Sequence, residues 1–266
     1  MIKSFIAEMD KGIRRPATWV LVVAWALAAI AFVYVNPYIK YVTPASNVSA
    51  TDRQALLTGM LPANLISEVI AGFPIFGGTI ALIFGALMMG SEYGWGTFKT
   101  LLMQRSNRLS MLSGKLFALA VMQLAFVLVV FGSGAVSSFI VATLTHSSVR
   151  WPSAEDFMQG IGAAWVIMIM WALLGAMLAT LLRGSTLAVG LGLFYLLLEL
   201  FFRNTAGTSG PLAELARVLP GSNAGVLAAP GVAAAIGVPQ SVLVLIAYSM
   251  GFVLLSLLLF LRRDVV

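Results

Sequence analysis

Glu199 and Arg203 are the residues with most to offer chemically, because they stand four positions apart in an apolar run. An ionisable residue inside a membrane span can relay a proton or hold a substrate. The i, i+4 spacing places both on one helix face, where they can pair. The apolar run is nearly over at Glu199, so the pair is read as lying at headgroup level and snorkelling outward, not as a functional intramembrane acid. Glu68 opens another apolar stretch and is expected to reach water. His146, the single histidine, falls in a polar stretch without a partner in sequence and is read as a surface residue. There is no cysteine, which excludes disulfides, thiolate metal sites and thiol catalysis. One histidine and no clustered acids give no basis for a metal centre. Gly114-Lys115 resembles the end of a phosphate-binding loop, but Leu109 occupies the first glycine position and Leu116 replaces the hydroxyl residue. No catalytic residue, metal or cofactor is therefore assigned to the chain itself.

The elements that must position these residues are membrane spans. Of 266 residues, 60% are hydrophobic and only 10% charged, with a mean hydropathy of +0.98. A soluble globular chain is about 45–50% apolar and about 25% charged. So much apolar surface must face lipid, which excludes a cytosolic enzyme, a nucleic-acid-binding domain and a disordered chain. Six stretches are long and apolar enough to span a bilayer: 16–34, 65–90, 115–144, 158–182, 185–202 and 240–261. The second is interrupted by Pro74 and Gly77-Gly78. The spacing predicts an all-α integral membrane protein with one transmembrane domain over 1–266. The first fifteen residues are too polar for a cleavable signal, so the N-terminus is expected to stay as an anchor.

Six spans put both termini on one side. If that side is the cytoplasm, Lys3, Lys11, Arg14, Arg15, Lys99, Arg105, Arg108, Lys115, Arg183, Arg262 and Arg263 lie inside, and only Lys40, Arg53, Arg150, Arg203 and Arg217 lie outside. That bias favours cytoplasmic termini.

Five segments are not spans. Residues 36–64, with Pro37, Pro44 and Pro62, read as an outer loop with one interfacial turn of helix, and residues 145–157 as a short polar outer loop with Trp151 near the headgroups. In residues 1–15, Ile2, Phe5, Ile6, Met9 and Ile13 share a helical face, while Lys3, Glu8, Asp10 and Lys11 take the rest. This predicts a helix in the inner interface, either a plain anchor or an elbow that also touches a cytoplasmic partner. The 91–112 loop begins Ser91-Glu92-Tyr93-Gly94-Trp95-Gly96-Thr97-Phe98-Lys99. There Trp95, Phe98, Leu101 and Leu102 share a face, with Lys99, Gln104, Arg105 and Arg108 pointing elsewhere. A basic inner loop explains the charges but not an aromatic amphipathic helix placed directly after a span. Residues 203–239 carry Pro211, Pro220, Pro230 and Pro239 yet remain apolar, and Leu212, Leu215 and Leu219 suggest a short helix. The segment reads as half-helices dipping into the outer leaflet and covered by protein. Gly132, Gly134, Ser138, Gly160, Gly175, Gly190 and Gly192 permit close helix approach within the bundle or across a dimer.

Glu92-x-x-x-Gly96-Thr97-x-x-x-Leu101-Leu102, followed by Arg108 and by Gly114-Lys115 opening the next span, resembles the ABC-2 type permeases, the membrane subunits of bacterial ABC exporters. The match is closest in feel to the small permeases of bacitracin-type, peptide-antibiotic and drug-resistance exporters. It covers the whole chain in layout, but only about residues 91–116 in motif. Where the family usually carries a proline shortly before the loop arginine, this chain reads Gln104-Arg105-Ser106-Asn107-Arg108. The resemblance implies a bacterial cytoplasmic-membrane permease that exports an amphipathic, drug-like, peptide-antibiotic or lipid-like cargo. Its 91–108 helix would be the coupling helix, seated in a groove of a separate ATPase subunit. Glu92, Gly96 and Thr97 would shape the entry, Trp95, Phe98 and Leu101 would make the apolar contact, and Lys99, Arg105 and Arg108 would meet acids or headgroups. ATP and magnesium would belong to the ATPase subunit, and a second permease copy or paralogue would complete the assembly among membrane lipids. Two other classes stay open: an integral-membrane lipid-modifying enzyme, and a non-pumping scaffold or immunity protein.

Overall fold

The computed structural model describes residues 2–44, 49–94, 108–205, 210–229 and 237–262. Among them every regular element is helical, and six helices are long and apolar enough to cross a membrane: Pro16–Val42, Phe73–Ser91, Leu109–Leu144, Ala154–Leu182, Ser185–Thr205 and Val238–Phe260. The protein is a multi-pass membrane protein.

The elements in order are α1 (Ile2–Arg14), α2 (Pro16–Ala29), a π-helical stretch (Ile30–Val35), α3 (Asn36–Val42), α4 (Ala50–Met60), α5 (Leu65–Ile70), a second π-helical stretch (Phe73–Gly77) and α6 (Gly78–Gly94). Then come α7 (Arg108–Leu144), α8 (Ala154–Leu182), α9 (Ser185–Thr205), α10 (Pro211–Val218), α11 (Pro220–Ala228) and α12 (Val238–Arg262). Spans two and four form the centre: 67% of each apolar window is buried, against 11% for the last span, whose flanks face outward.

The centre is tight because a glycine on each of the two helices faces the backbone of the other helix. A methyl group on Gly85 would fall on the Ala172 carbonyl, and one on Gly175 on the Leu82 carbonyl. Gly134, Gly160 and Gly192 also sit against neighbouring side chains, whereas Gly132 and Gly190 face open space. The small residues thus act within the bundle at some positions and not at others.

The first span differs from the sequence reading. It does not stop at residue 34 but runs on to Val42 through the π-helical turn. Pro37 has no N–H, and its ring would crowd the carbonyl four residues back in an ordinary helix. The wider π turn over Ile30–Val35 lets the helix continue past it. The Pro74 interruption is resolved in the same way over Phe73–Gly77. The two distorted regions lie side by side: Phe32 stacks on Phe76 at 5.3 Å between ring centroids, and Trp25 meets Phe73 edge-on at 5.3 Å. The stretch expected as a loop with one turn of helix, 36–64, contains the eleven-residue α4, started by a Ser49–Asp52 capping box. α7 begins at Arg108, seven residues earlier than expected. Its 37 residues reach about 55 Å, well beyond a hydrocarbon core of about 30 Å.

Candidate functional site

Two buried polar centres occupy opposite ends of the bundle. The first forms where α1 meets the opening of α7. Ser4 Oγ lies 3.4 Å from the Met111 carbonyl, Glu8 meets Lys115, and Gly12 touches Met122. The numbers rise together along both helices, so α1 packs lengthwise along the first turns of α7 and runs in the same direction. Gly114 makes this approach possible, since a methyl there would strike Ser4 and the Phe5 backbone. The amphipathic face read from the sequence is accordingly divided. Phe5 and Met9 pack inward, while Ile2, Ile6 and Ile13 stay exposed.

Glu8 is the sharper departure. Read as part of a polar face, it is buried, as is Lys115 at 2% exposure. Lys115 Nζ donates to Glu8 Oε2 at 2.9 Å, and Lys11 Nζ donates to Glu8 Oε1 at 2.8 Å. Burial alone would raise the Glu8 carboxyl, but Lys115 and Lys11 outweigh it and hold it below its ordinary value of 4.5. Lys115 Nζ also lies 3.4 Å from the Met88 carbonyl, and the Arg15 guanidinium lies 3.4 Å from the Leu87 carbonyl. Gly90 abuts the backbone of Ser185, where α9 begins. The last turns of α6 are thus held by Lys115 of α7, by Arg15 at the junction of α1 and α2, and by the start of α9.

Between the end of α6 and the start of α7 runs the motif segment. Trp95, Gly96, Thr97, Phe98, Lys99, Leu101 and Arg105 lie outside the described residues. Glu92 belongs to the last turn of α6 and Arg108 is the first residue of α7. The motif is therefore entered and left by the two helix ends that the Glu8–Lys115 centre binds together.

The second centre is built around Glu199. Expected at headgroup level, it is buried at 3% exposure. The cause is α11, eight of whose nine residues are buried, and which covers the α9 face that carries Glu199. Glu199 Oε1 accepts from the Gly221 N–H at 2.5 Å, in the first turn of α11, where backbone donors are free. Arg203 donates to the Gly221 carbonyl at 2.9 Å. The two charged side chains therefore share a glycine and do not simply snorkel outward. Gly221 must lack a side chain, since a methyl would lie 2.7 Å from Glu199 Oε1. A small cavity of about 10 Å³ beside them is lined by Pro74, Trp171, Glu199, Arg203 and Gly221, among others. Trp171 Nε1 is buried without a hydrogen-bond partner among the described residues. α10 forms where the leucine spacing predicted it, but Leu212 and Leu215 are exposed and Ala213 is buried. Asn223 closes that helix by donating to the carbonyls of Arg217 and Leu219.

The sequence reading also missed Gln123. Gln123 in α7 is fully buried, and neither amide atom has a partner among the described residues. His146 is exposed and ends α7 with a left-handed φ of 51°. Among the described residues no group of three His, Asp or Glu side chains is placed to hold a metal ion.

No curated protein matches this sequence. The family model described as "Protein of unknown function (DUF2705)" matches residues 21–266, and the chain belongs to that family.

Proposed function

We propose that the chain is the permease subunit of an ATP-driven exporter in a bacterial cytoplasmic membrane. In this reading a separate ATPase subunit carries ATP and magnesium. The α1 end of the bundle faces the cytoplasm, and the Glu199 end faces outward, with α10 and α11 dipping into the outer leaflet. The observation that carries the reading is the buried Glu8–Lys115 pair at the root of the 95–107 segment. An amphipathic segment that receives a push from an ATPase must pass it to the spans and not absorb it in a slack loop. Here its two ends are fixed to each other by Lys115, which reaches from α7 to the Met88 carbonyl of α6. They are fixed to the N-terminal helix by Glu8, and to α9 by the contact of Gly90 with Ser185. Motion of the segment would therefore move four helices as one body.

Within this reading Trp95, Phe98 and Leu101 supply the apolar contact with the ATPase, and Lys99, Arg105 and Arg108 set its register. Glu92, Gly96 and Thr97 shape the turn out of α6. A second copy or a paralogue pairs with this chain in the membrane, and the exported cargo is amphipathic, drug-like, peptide-antibiotic or lipid-like. The test is recovery of the chain from native membranes in mild detergent, with ATP hydrolysis assayed on the eluate. The expected result is a stoichiometric nucleotide-binding subunit with hydrolysis. Recovery of the chain alone, inactive in several detergents, would contradict it.

A further inference from the structure

The bundle end opposite α1 holds a cavity of about 620 Å³ between the end of the first span, α4 and α5. Its wall includes Val33, Leu56 and Met60, and two carboxylates from different helices, Asp52 and Glu68, also line it. That volume suits a small organic molecule, and an apolar wall with a few polar groups is the usual make-up of a ligand site. No described cation or hydrogen-bond donor pairs with Glu68. The nearby Arg53 is turned aside, its guanidinium 4.8 Å from the centre of the Tyr41 ring. Asp52 spends one oxygen, Oδ2, on the Ser49 backbone and hydroxyl, leaving the other for a ligand. Gly59 keeps the space beside Glu68 open, since a methyl there would lie 3.1 Å from Glu68 Oε1.

We infer that this cavity binds a small cationic amphiphile, with its ammonium group between Asp52 and Glu68 and its apolar body against Val33, Leu56 and Met60. Opposite charge supplies the specificity, because the cavity lining offers two carboxylates and no basic side chain. Glu68 and Asp52 are both exposed at the rim of the cavity, and carboxylates without a basic neighbour in the lining favour a ligand of opposite charge. Burial holds the Glu68 carboxyl above its ordinary value, which agrees with that lack of a partner. The site stands on its own geometry and needs no ATPase, so it goes beyond the exporter reading.

The test uses the full chain in nanodiscs of phosphatidylcholine, titrated with dansylcadaverine, a primary ammonium on a short alkyl stem with an aromatic body. The expected result is saturable fluorescence enhancement, weakened about tenfold by Glu68→Gln, by Asp52→Asn and by acetylation of the probe's amine; tenfold corresponds to about 1.4 kcal/mol. Gly59→Leu, which fills the space, is expected to abolish binding. Thermal unfolding of each variant separates lost binding from lost fold, and the acetylated probe tests charge on the unaltered protein. Non-saturable enhancement, or binding indifferent to both Glu68→Gln and acetylation, would overturn the inference. Loss of probe binding when phosphatidylethanolamine is added would overturn it too, by assigning the site to a lipid headgroup.

Discussion

At the α1 end of the bundle a buried carboxylate meets two ammonium groups, and at the opposite end a buried carboxylate meets a backbone N–H. Both take a charge out of water, but they hold it differently. Glu8 joins two side chains, one of them 107 residues away, and depends on charge. Glu199 binds the first turn of a short helix through the Gly221 N–H, while Arg203 holds the carbonyl of the same residue. A neutral amide can still accept the Gly221 hydrogen bond, whereas no neutral residue replaces Lys115 against an ionised Glu8. The first centre thus behaves as a rigid joint between long helices, and the second as a latch on a nine-residue helix.

The largest expected effect comes from Lys115→Met, which leaves Glu8 buried without its main partner. Removing one member of a buried pair costs about 3–5 kcal/mol, and thermal unfolding in detergent should show a marked loss. Adding Glu8→Gln should restore much of it, because the stranded charge is gone. If the double variant is no better than Lys115→Met alone, charge is not what the joint depends on.

The latch should yield less. Gly221→Ala pushes Glu199 off its N–H and strands a buried carboxylate, at about 1–3 kcal/mol. Glu199→Gln keeps the acceptor and should cost about 1 kcal/mol or less. Equal losses for the two would dissolve the distinction between joint and latch.

Acid sharpens the contrast through Glu8 and Glu68, whose carboxyls are displaced in opposite directions. Glu8 lies below its ordinary value of 4.5, so its contribution is complete above that value and is lost as pH falls through the lower folded-state value. Glu68 lies above 4.5, so its contribution is complete below that value and is lost as pH rises through the higher folded-state value. Unfolding temperatures across this range should flatten on the acid side for the Glu8→Gln, Lys115→Met double variant, and on the neutral side for Glu68→Gln. The smallest effect is reserved for Asp10→Asn. Its partner Arg14 is well exposed, and the pair at 2.8 Å should be worth no more than about 0.5 kcal/mol.

The six spans were legible because hydropathy and length are local properties. So were the break at Pro74 and the short helix before α11. The Glu8–Lys115 joint was not, because the two residues lie far apart in sequence and each has an ordinary local explanation: Glu8 in a polar face, Lys115 in a basic loop. Gly12 and Gly114 were the available signal, small residues beside each partner where helices come close. The depth of Glu199 was hidden for a related reason. Its span does end soon after it, and only the packing of Pro220–Ala228 removes it from water. Gly221, Ser222, Ala224 and Gly225 marked that helix as one built for close contact. The π-helical turn before Pro37 had no local signature beyond the proline itself, so the first span was ended too early.

The most direct test compares Phe98→Asp with Glu199→Gln, each purified in mild detergent from native membranes and assayed for a bound nucleotide-binding subunit and ATP hydrolysis. The account predicts that Phe98→Asp inserts normally yet loses both, while Glu199→Gln keeps both. Retention of the ATPase subunit by Phe98→Asp, or its equal loss from the two variants, would contradict the assignment of the 91–108 segment as the coupling element.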